Sequence, residues 1–165
     1  QVNTPVAAKM VEHLLEQLPL TPSTTLLDVY CGVGLFSAFT APRVGRLIGI
    51  ESNPNAVDDF AVNLDAFDHV EIYQAPAEEV LPTLEVEADV ILVDPPRAGL
   101  SREVLDAILK LHPAVLAYVS CDPATLARDA KRLTAGGYTL EHITPFDLFP
   151  QTYHIESVSF WGIPS

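Results

Sequence analysis

Short apolar runs that alternate with helical periodicity limit this chain to very few folds. The runs are Thr25–Tyr30, Arg46–Glu51, Val70–Tyr73, Ala88–Val93 and Val115–Val119. Each is short and apolar on both faces, as strands buried in a parallel sheet are. Helical patterns flank most of them. Val6, Met10, Val11, Leu14, Leu15 and Leu18 follow Thr4-Pro5 at helical spacing. Further helices are predicted over Leu35–Thr40, Asn53–Leu64, Ser101–Leu111 and Pro123–Thr134, the last closed by Gly136-Gly137. This alternation predicts an α/β fold with a doubly wound, mostly parallel, Rossmann-like sheet. Tyr138–Ile143 and Ile155–Trp161 are strands with no helix between them. They predict a terminal antiparallel pair with one antiparallel edge strand. Ligands of such sheets bind beyond the carboxyl ends of the strands, at the switch point.

The residues with chemistry fall at those ends. Strand one runs into Tyr30-Cys31-Gly32-Val33-Gly34. Gly32 and Gly34 permit a tight turn and close backbone approach to a ligand. A dinucleotide fingerprint needs a third glycine where this chain has Ser37, so no pyrophosphate cradle is encoded. Glu51 closes strand two, where a carboxylate can accept both hydroxyls of a ribose; the plainer reading is a solvated strand-end acid. S-adenosylmethionine fits this pattern better than NAD. Asp94-Pro95-Pro96-Arg97 follows strand four. The prolines fix the exit of the chain, so Asp94 projects in a defined direction. It can serve a cofactor amino group, a target base or both, or simply start a turn. Arg97 can meet a phosphate, a carbonyl or a local acid.

Ser120-Cys121-Asp122-Pro123 ends strand five. Asp122 is a good N-cap and Pro123 suits the first helical position. Cys121 is thereby expected beside exposed N–H groups at a helix N-terminus, a setting that lowers a thiol pKa and makes a nucleophile. The plainer reading is a small buried apolar residue. Strand four should separate Cys31 from Cys121 by about 10 Å, too far for a disulfide, which needs about 7 Å. Cys31 reads as small packing. No spaced His/Cys cluster suggests a metal.

Nine Lys and Arg against 22 Asp and Glu give a net charge of −13 in 165 residues. That argues against autonomous nucleic-acid binding, which needs cations for phosphates. Two cysteines fit a reducing compartment, so a cytoplasmic location is expected, with no membrane span. The chain opens at Gln1 without Met. One domain over 1–165, cut from a longer protein, is expected, and a monomer.

Four motifs occur in a telling order: Tyr-Cys-Gly-x-Gly at 30–34, Asp-Pro-Pro-Arg-Ala-Gly at 94–99, Ser-Cys-Asp-Pro-Ala-Thr-Leu-Ala-Arg-Asp at 120–129 and Phe-Pro-x-Thr-x-His-x-Glu at 149–156. Together they resemble the catalytic domain of the RNA 5-methyluridine methyltransferases, over essentially the whole chain. The resemblance implies a class I methyltransferase fold. It implies methyl transfer from S-adenosylmethionine to C5 of a uridine in tRNA or ribosomal RNA. It makes Cys121 the nucleophile and Glu156 the base. Gln1, Tyr30, Glu51 and Asp94 match cofactor positions, with Gln1 and Asp94 near the target base; Gly32, Gly34 and Leu35 line the same loop. Leu35 stands where the family often has Asn, and Ala75-Pro76-Ala77 where it often has another Asn, so adenosine contacts there are expected to be backbone or apolar. His154 is a candidate to orient Glu156. An N-terminal RNA-binding domain of the family is absent from these residues and is expected to hold most RNA affinity. Rival readings are an amino-group methyltransferase using the Asp-Pro-Pro loop, a non-catalytic adenosyl-binding module and a nicotinamide dehydrogenase.

Overall fold

The computed structural model describes residues 4–147 and 155–164. Seven strands form one sheet: β1 (Thr25–Val29), β2 (Arg46–Glu51), β3 (Val70–Gln74), β4 (Val90–Val93), β5 (Val115–Ser120), β6 (Thr139–Phe146) and β7 (Glu156–Gly162). The order is β3-β2-β1-β4-β5-β7-β6. β1 to β5 run parallel to one another, and β7 runs antiparallel to both β5 and β6.

The helices are α1 (Thr4–Gln17), α2 (Leu35–Thr40), α3 (Pro54–Asn63), α4 (Ala77–Val80), α5 (Arg102–Leu111) and α6 (Pro123–Ala135). Side chains alternate strictly between two cores, as the period of a strand requires. Leu27, Val29, Ile91, Val93, Leu116 and Tyr118 meet α4, α5 and α6 through Val80, Leu105, Ile108, Leu126 and Leu133. Leu26, Leu47, Val90, Leu92, Ala117 and Val119 meet α1, α2 and α3 through Met10, Leu14, Phe36 and Phe60. Each such buried aliphatic or aromatic side chain contributes roughly 1.5–3 kcal/mol by leaving water. The doubly wound architecture is the consequence of strands that are apolar on both faces.

The antiparallel strand is an interior one, and the edge belongs to β6. Six of the seven residues of β7 are buried, whereas β6 is exposed along most of its length. Ser157, Val158, Ser159, Phe160 and Trp161 bury both faces and need neighbours on both sides; Glu141 and His142 tolerate an edge. Two short elements fill the connection after β3: α4 and a 3-10 turn at Leu81–Thr83. They bury Val80 and Leu81 under α5, whose Val104, Leu105 and Ile108 share that core. Strand β4 lies between β1 and β5, and both thiols are free. Among the described residues no helix is long and apolar enough to cross a membrane.

Candidate active site at the carboxyl edge of the sheet

The turn after β1 is built for close approach. Tyr30, Gly32 and Gly34 all take positive φ, at 63°, 54° and 85°. A side chain on Gly32 would meet nothing, so that glycine leaves open space above the turn. A Cβ on Gly34 would lie 2.7 Å from Leu64 Cδ1 and 2.8 Å from Phe60 Cδ2, so α3 packs directly on the turn. Cys31 is buried, with its Sγ 3.0 Å from where a Cβ on Gly49 would stand, which confirms its packing role. Glu51 Oε2 accepts from Gly32 N at 3.0 Å and its Oε1 accepts from Asn53 N at 2.7 Å. The carboxylate is therefore fixed by two backbone donors, with lone pairs left for a diol.

A cavity of about 390 Å³ opens over this turn, lined by Thr4, Ala7, Tyr30, Gly32, Leu35 and Asp94 among others. Leu35 is an apolar part of its lining. Tyr30 also borders a second cavity of about 460 Å³ that reaches Glu78 and Arg128. Its hydroxyl donates to Glu78 Oε1 at 3.3 Å.

Beneath the turn lies Asp28, fully buried. Its Oδ2 accepts from Ser37 Oγ at 2.5 Å, while Oδ1 has no hydrogen-bond partner among the described residues. Burial pushes its carboxyl up to about 7, with the Ser37 bond opposing and Glu51 adding. Ser37 thus bonds inward to Asp28 at the position where a dinucleotide fingerprint would have its third glycine. Asp28 was not among the expected site residues. The signal was an acid inside the otherwise apolar Leu26-Leu27-Asp28-Val29, which reads as an ordinary strand.

Asp94 follows β4, its N–H donating to Val29 O at 3.2 Å. Burial, then Glu156 and Asp28, push its carboxyl up to about 7. Cys121 follows β5. The antiparallel register pairs Ser120 with Ser157, which makes Cys121 and Glu156 the next residues at that end of the ladder. Burial, then Glu156, raise the thiol pKa; Arg97 lowers it and Asp94 raises it again. Glu156 is raised by burial and lowered by Arg97. Carboxylates from two strand ends and one guanidinium therefore act on one thiol.

The thiol is not acidified by the helix N-terminus as the sequence predicts; burial raises it. The donors at the N-terminus of α6 are already taken. Asp122 Oδ1 accepts from Ala124 N at 2.8 Å and Thr125 N at 3.0 Å. The cap carboxylate is the group they acidify, and its pKa is lowered chiefly by the Thr125 N–H. Orphan donors satisfied by one carboxylate cannot also solvate a neighbouring thiolate. The cation acting on Cys121 is Arg97. Gln1, the Phe149-Pro150 segment and His154 lie outside the described residues.

Residues 1–161 match the tRNA (uracil-5-)-methyltransferase family profile. The chain belongs to that family. Curated relatives include uncharacterized RNA methyltransferases of Streptomyces avermitilis, 42% identical over 163 residues, and of Halalkalibacterium halodurans, 43% identical over 164 residues. Each alignment covers 96% of this chain but only 38% and 36% of the respective relative. The chain therefore spans little more than a third of such proteins. Among solved structures, the Pyrococcus abyssi tRNA (uracil-54, C5)-methyltransferase, crystallised with S-adenosyl-L-homocysteine, superposes with a TM-score of 0.81 at 34% identity. It is covered to 38%, and this chain to 94%. An N-methyltransferase of Bradyrhizobium japonicum superposes with a TM-score of 0.80 at 17% identity, covering 97% of this chain and 98% of that one. That likeness is one of fold, the class I methyltransferase fold, and this family member has it over its described length.

Proposed function

We propose that this domain transfers a methyl group from S-adenosylmethionine to C5 of a uridine in RNA, through a covalent bond between Cys121 Sγ and C6 of the base. The observation that carries the reading is the register of β5 and β7. It sets a thiol beside a carboxylate at the carboxyl edge of the sheet, next to a cavity lined by a glycine turn and Asp94. Family membership and the uracil named for the Pyrococcus relative support the target base.

The cavity suits the cofactor. Glu51 is held with free lone pairs where a ribose would lie, and Thr4, Ala7 and Leu35 offer apolar contact. Asp94 on the cavity lining supports a contact to an ammonium group, and Tyr30 and Gly34 shape the turn. When bound, S-adenosylmethionine supplies an electrophilic methyl group. C5 of uracil is too poor a nucleophile to take it unaided. Cys121 changes that once its thiol proton has passed to solvent. The Sγ lone pair forms a bond to C6, and the C5=C6 π electrons move onto C5 and O4. C5 can then form a bond to the methyl carbon while the sulfonium–methyl bond breaks, its electron pair staying on the donor sulfur, which leaves as the neutral thioether S-adenosylhomocysteine. Glu156 takes the remaining C5 proton as a general base. The C5=C6 bond re-forms and the C6–Sγ pair returns to sulfur. Glu156 must be ionised for this, and Arg97 opposes the upward push of burial on it. The net charge of −13, in a chain that spans little more than a third of its relatives, supports the reading that most RNA affinity lies outside these residues. The target base must leave its stack to reach the thiol, at a cost of a few kcal/mol, roughly.

The test is intact-mass analysis of the full-length protein with S-adenosylmethionine and an RNA carrying 5-fluorouridine at the target site. Fluorine blocks the final proton abstraction, so a covalent protein–RNA adduct should accumulate and vanish in Cys121→Ala. Methyl transfer that persists in Cys121→Ala would instead indicate direct attack on the methyl group by an amino nitrogen.

A further inference from the structure

The loop that carries Asp94 and Arg97 is tied down from one place. Gly99 N donates to Pro96 O at 2.8 Å, closing a turn with Arg97 and Ala98 at its centre. Arg128 Nη2 donates to Ala98 O at 2.9 Å and to Leu100 O at 3.0 Å. Leu100 N donates to Asp129 Oδ2 at 2.8 Å. Asp129 is completely buried and also accepts from Tyr118 Oη at 2.8 Å and from Arg128 Nε at 2.8 Å. Gly99 has φ 73°, and a Cβ there would stand 2.6 Å from Asp129 Oδ2 and 2.7 Å from Arg128 Nη2. The loop is pressed against these two side chains with no room to spare. Both belong to α6, the helix that begins just after Cys121.

We infer that Arg128 and Asp129 are positioning residues for the methyl-transfer site, clamping the turn at 96–99 so that Arg97 is held beside Cys121 and Glu156. The inference rests on Cys121 being the nucleophile of the proposed reaction. Neither clamp residue need touch substrate. They make nucleophile and guanidinium parts of one rigid unit, because α6 is fixed to both. That unit answers the question left by the Asp122 cap, which denies Cys121 the helix N-terminus. The groups acting on the thiol are Glu156 from β7, Asp94 and Arg97 from the clamped loop, and the cap Asp122 lies next to it on its own helix. Among them only Arg97 favours the thiolate by charge.

The test reads the protonation of Cys121 directly. Iodoacetamide alkylation of the Cys121 peptide is followed by mass spectrometry between about pH 6 and pH 10, on the full-length protein without RNA. Direction decides the outcome. Burial raises this thiol, so mere loosening of the fold would move its midpoint down toward the ordinary value. Loss of a held Arg97 would move it up. Arg128→Ala is expected to raise the midpoint by about half a unit or more. Arg97→Ala should raise it comparably, and the double variant no further than Arg97→Ala alone. A downward or unchanged midpoint in Arg128→Ala, or additive shifts in the double variant, would overturn the inference. Should Arg128→Ala not fold, Gly99→Ala takes its place: it displaces the loop while keeping the Arg128 charge, and the same upward shift is expected. The readout needs neither RNA nor methyl donor. An absent 5-fluorouridine adduct beside an intact upward shift would strike the uridine reading and leave the clamp standing.

Discussion

Cys121 and Glu156 are consecutive partners beyond the last bridged pair of an antiparallel ladder, Ser120 with Ser157, although 35 positions separate them in the chain. The relationship depends on β7 entering the sheet between β5 and β6. Were β7 the edge strand, Glu156 would lie one strand further from the thiol, about 4.8 Å away by strand spacing.

Glu156→Gln should separate the two halves of the proposed reaction. The amide keeps the shape but cannot accept the C5 proton. Adduct formation and methyl transfer should proceed, and resolution should slow by about a thousandfold. Denaturing gels with ordinary uridine RNA should then show a persistent protein–RNA complex that wild type does not accumulate. Normal turnover without a complex would remove Glu156 from the base role.

The alternation of strands and helices was legible because both faces of every central strand are apolar, and that pattern admits few arrangements. The strand order at the far end was not. Tyr138–Ile143 and Ile155–Trp161 read as two comparable strands, and only packing of Val158, Phe160 and Trp161 on both faces shows which goes inside. The strand-end location of Tyr30, Glu51, Asp94 and Cys121 was legible for the same reason the fold was. The state of the thiol was misread, although its cause was in view: Asp122 and Cys121 compete for the same few N–H groups, and a carboxylate at the cap position wins. Asp28 was hidden because a polar residue in a strand normally marks a solvent face, and this strand has none. α4 spans Ala77–Val80 between two prolines, too short for helical periodicity to register.

Asp94, through its proposed cofactor contact, should make cofactor affinity depend on pH. Its carboxyl is pushed up to about 7 by burial, Glu156 and Asp28, so near neutrality it is partly protonated. An ammonium group on the cofactor would favour the ionised form. Binding should therefore strengthen with rising pH and weaken by up to about tenfold for each unit below 7. Calorimetry of S-adenosylhomocysteine binding between about pH 5.5 and 8.5 checks this, and Asp94→Asn should bind more weakly with a flatter profile. In the ligand-free protein the sign is reversed. A carboxyl whose pKa rises from 3.8 on folding contributes stability below 3.8 that is lost as pH rises through about 7.

The two glycines after β1 should respond differently to the same substitution. Gly32→Ala meets open space and carries only the backbone cost of φ 54°, about 1–2 kcal/mol. Gly34→Ala adds a collision with Leu64 and Phe60 on top of φ 85°. Overpacking of this kind costs about 1–3 kcal/mol more. Urea denaturation should rank Gly34→Ala well below Gly32→Ala in midpoint. Equal midpoints would mean that α3 yields easily to the added methyl group.

His13 ties α1 to the far end of the sheet and makes that attachment acid-sensitive. Its ring lies 5.5 Å from that of His142, 5.7 Å from Phe146 and 5.6 Å from Phe160, centroid to centroid. Its Nε2 is buried without a partner among the described residues. Burial, then His142, lower its pKa below 6.5, with Glu16 opposing. The folded state thus releases a proton that the unfolded chain binds. The stabilisation is complete above 6.5 and is lost as pH falls through the interval down to the folded value. Because Thr4 and Ala7 of α1 line the cavity proposed for the cofactor, a loosened α1 should weaken cofactor binding as well. Melting temperatures at about pH 7.5 and 5.5 should differ less in His13→Phe than in wild type, since a phenyl ring keeps the aromatic contacts and cannot protonate. A slope unchanged in His13→Phe would assign the acid sensitivity to other groups.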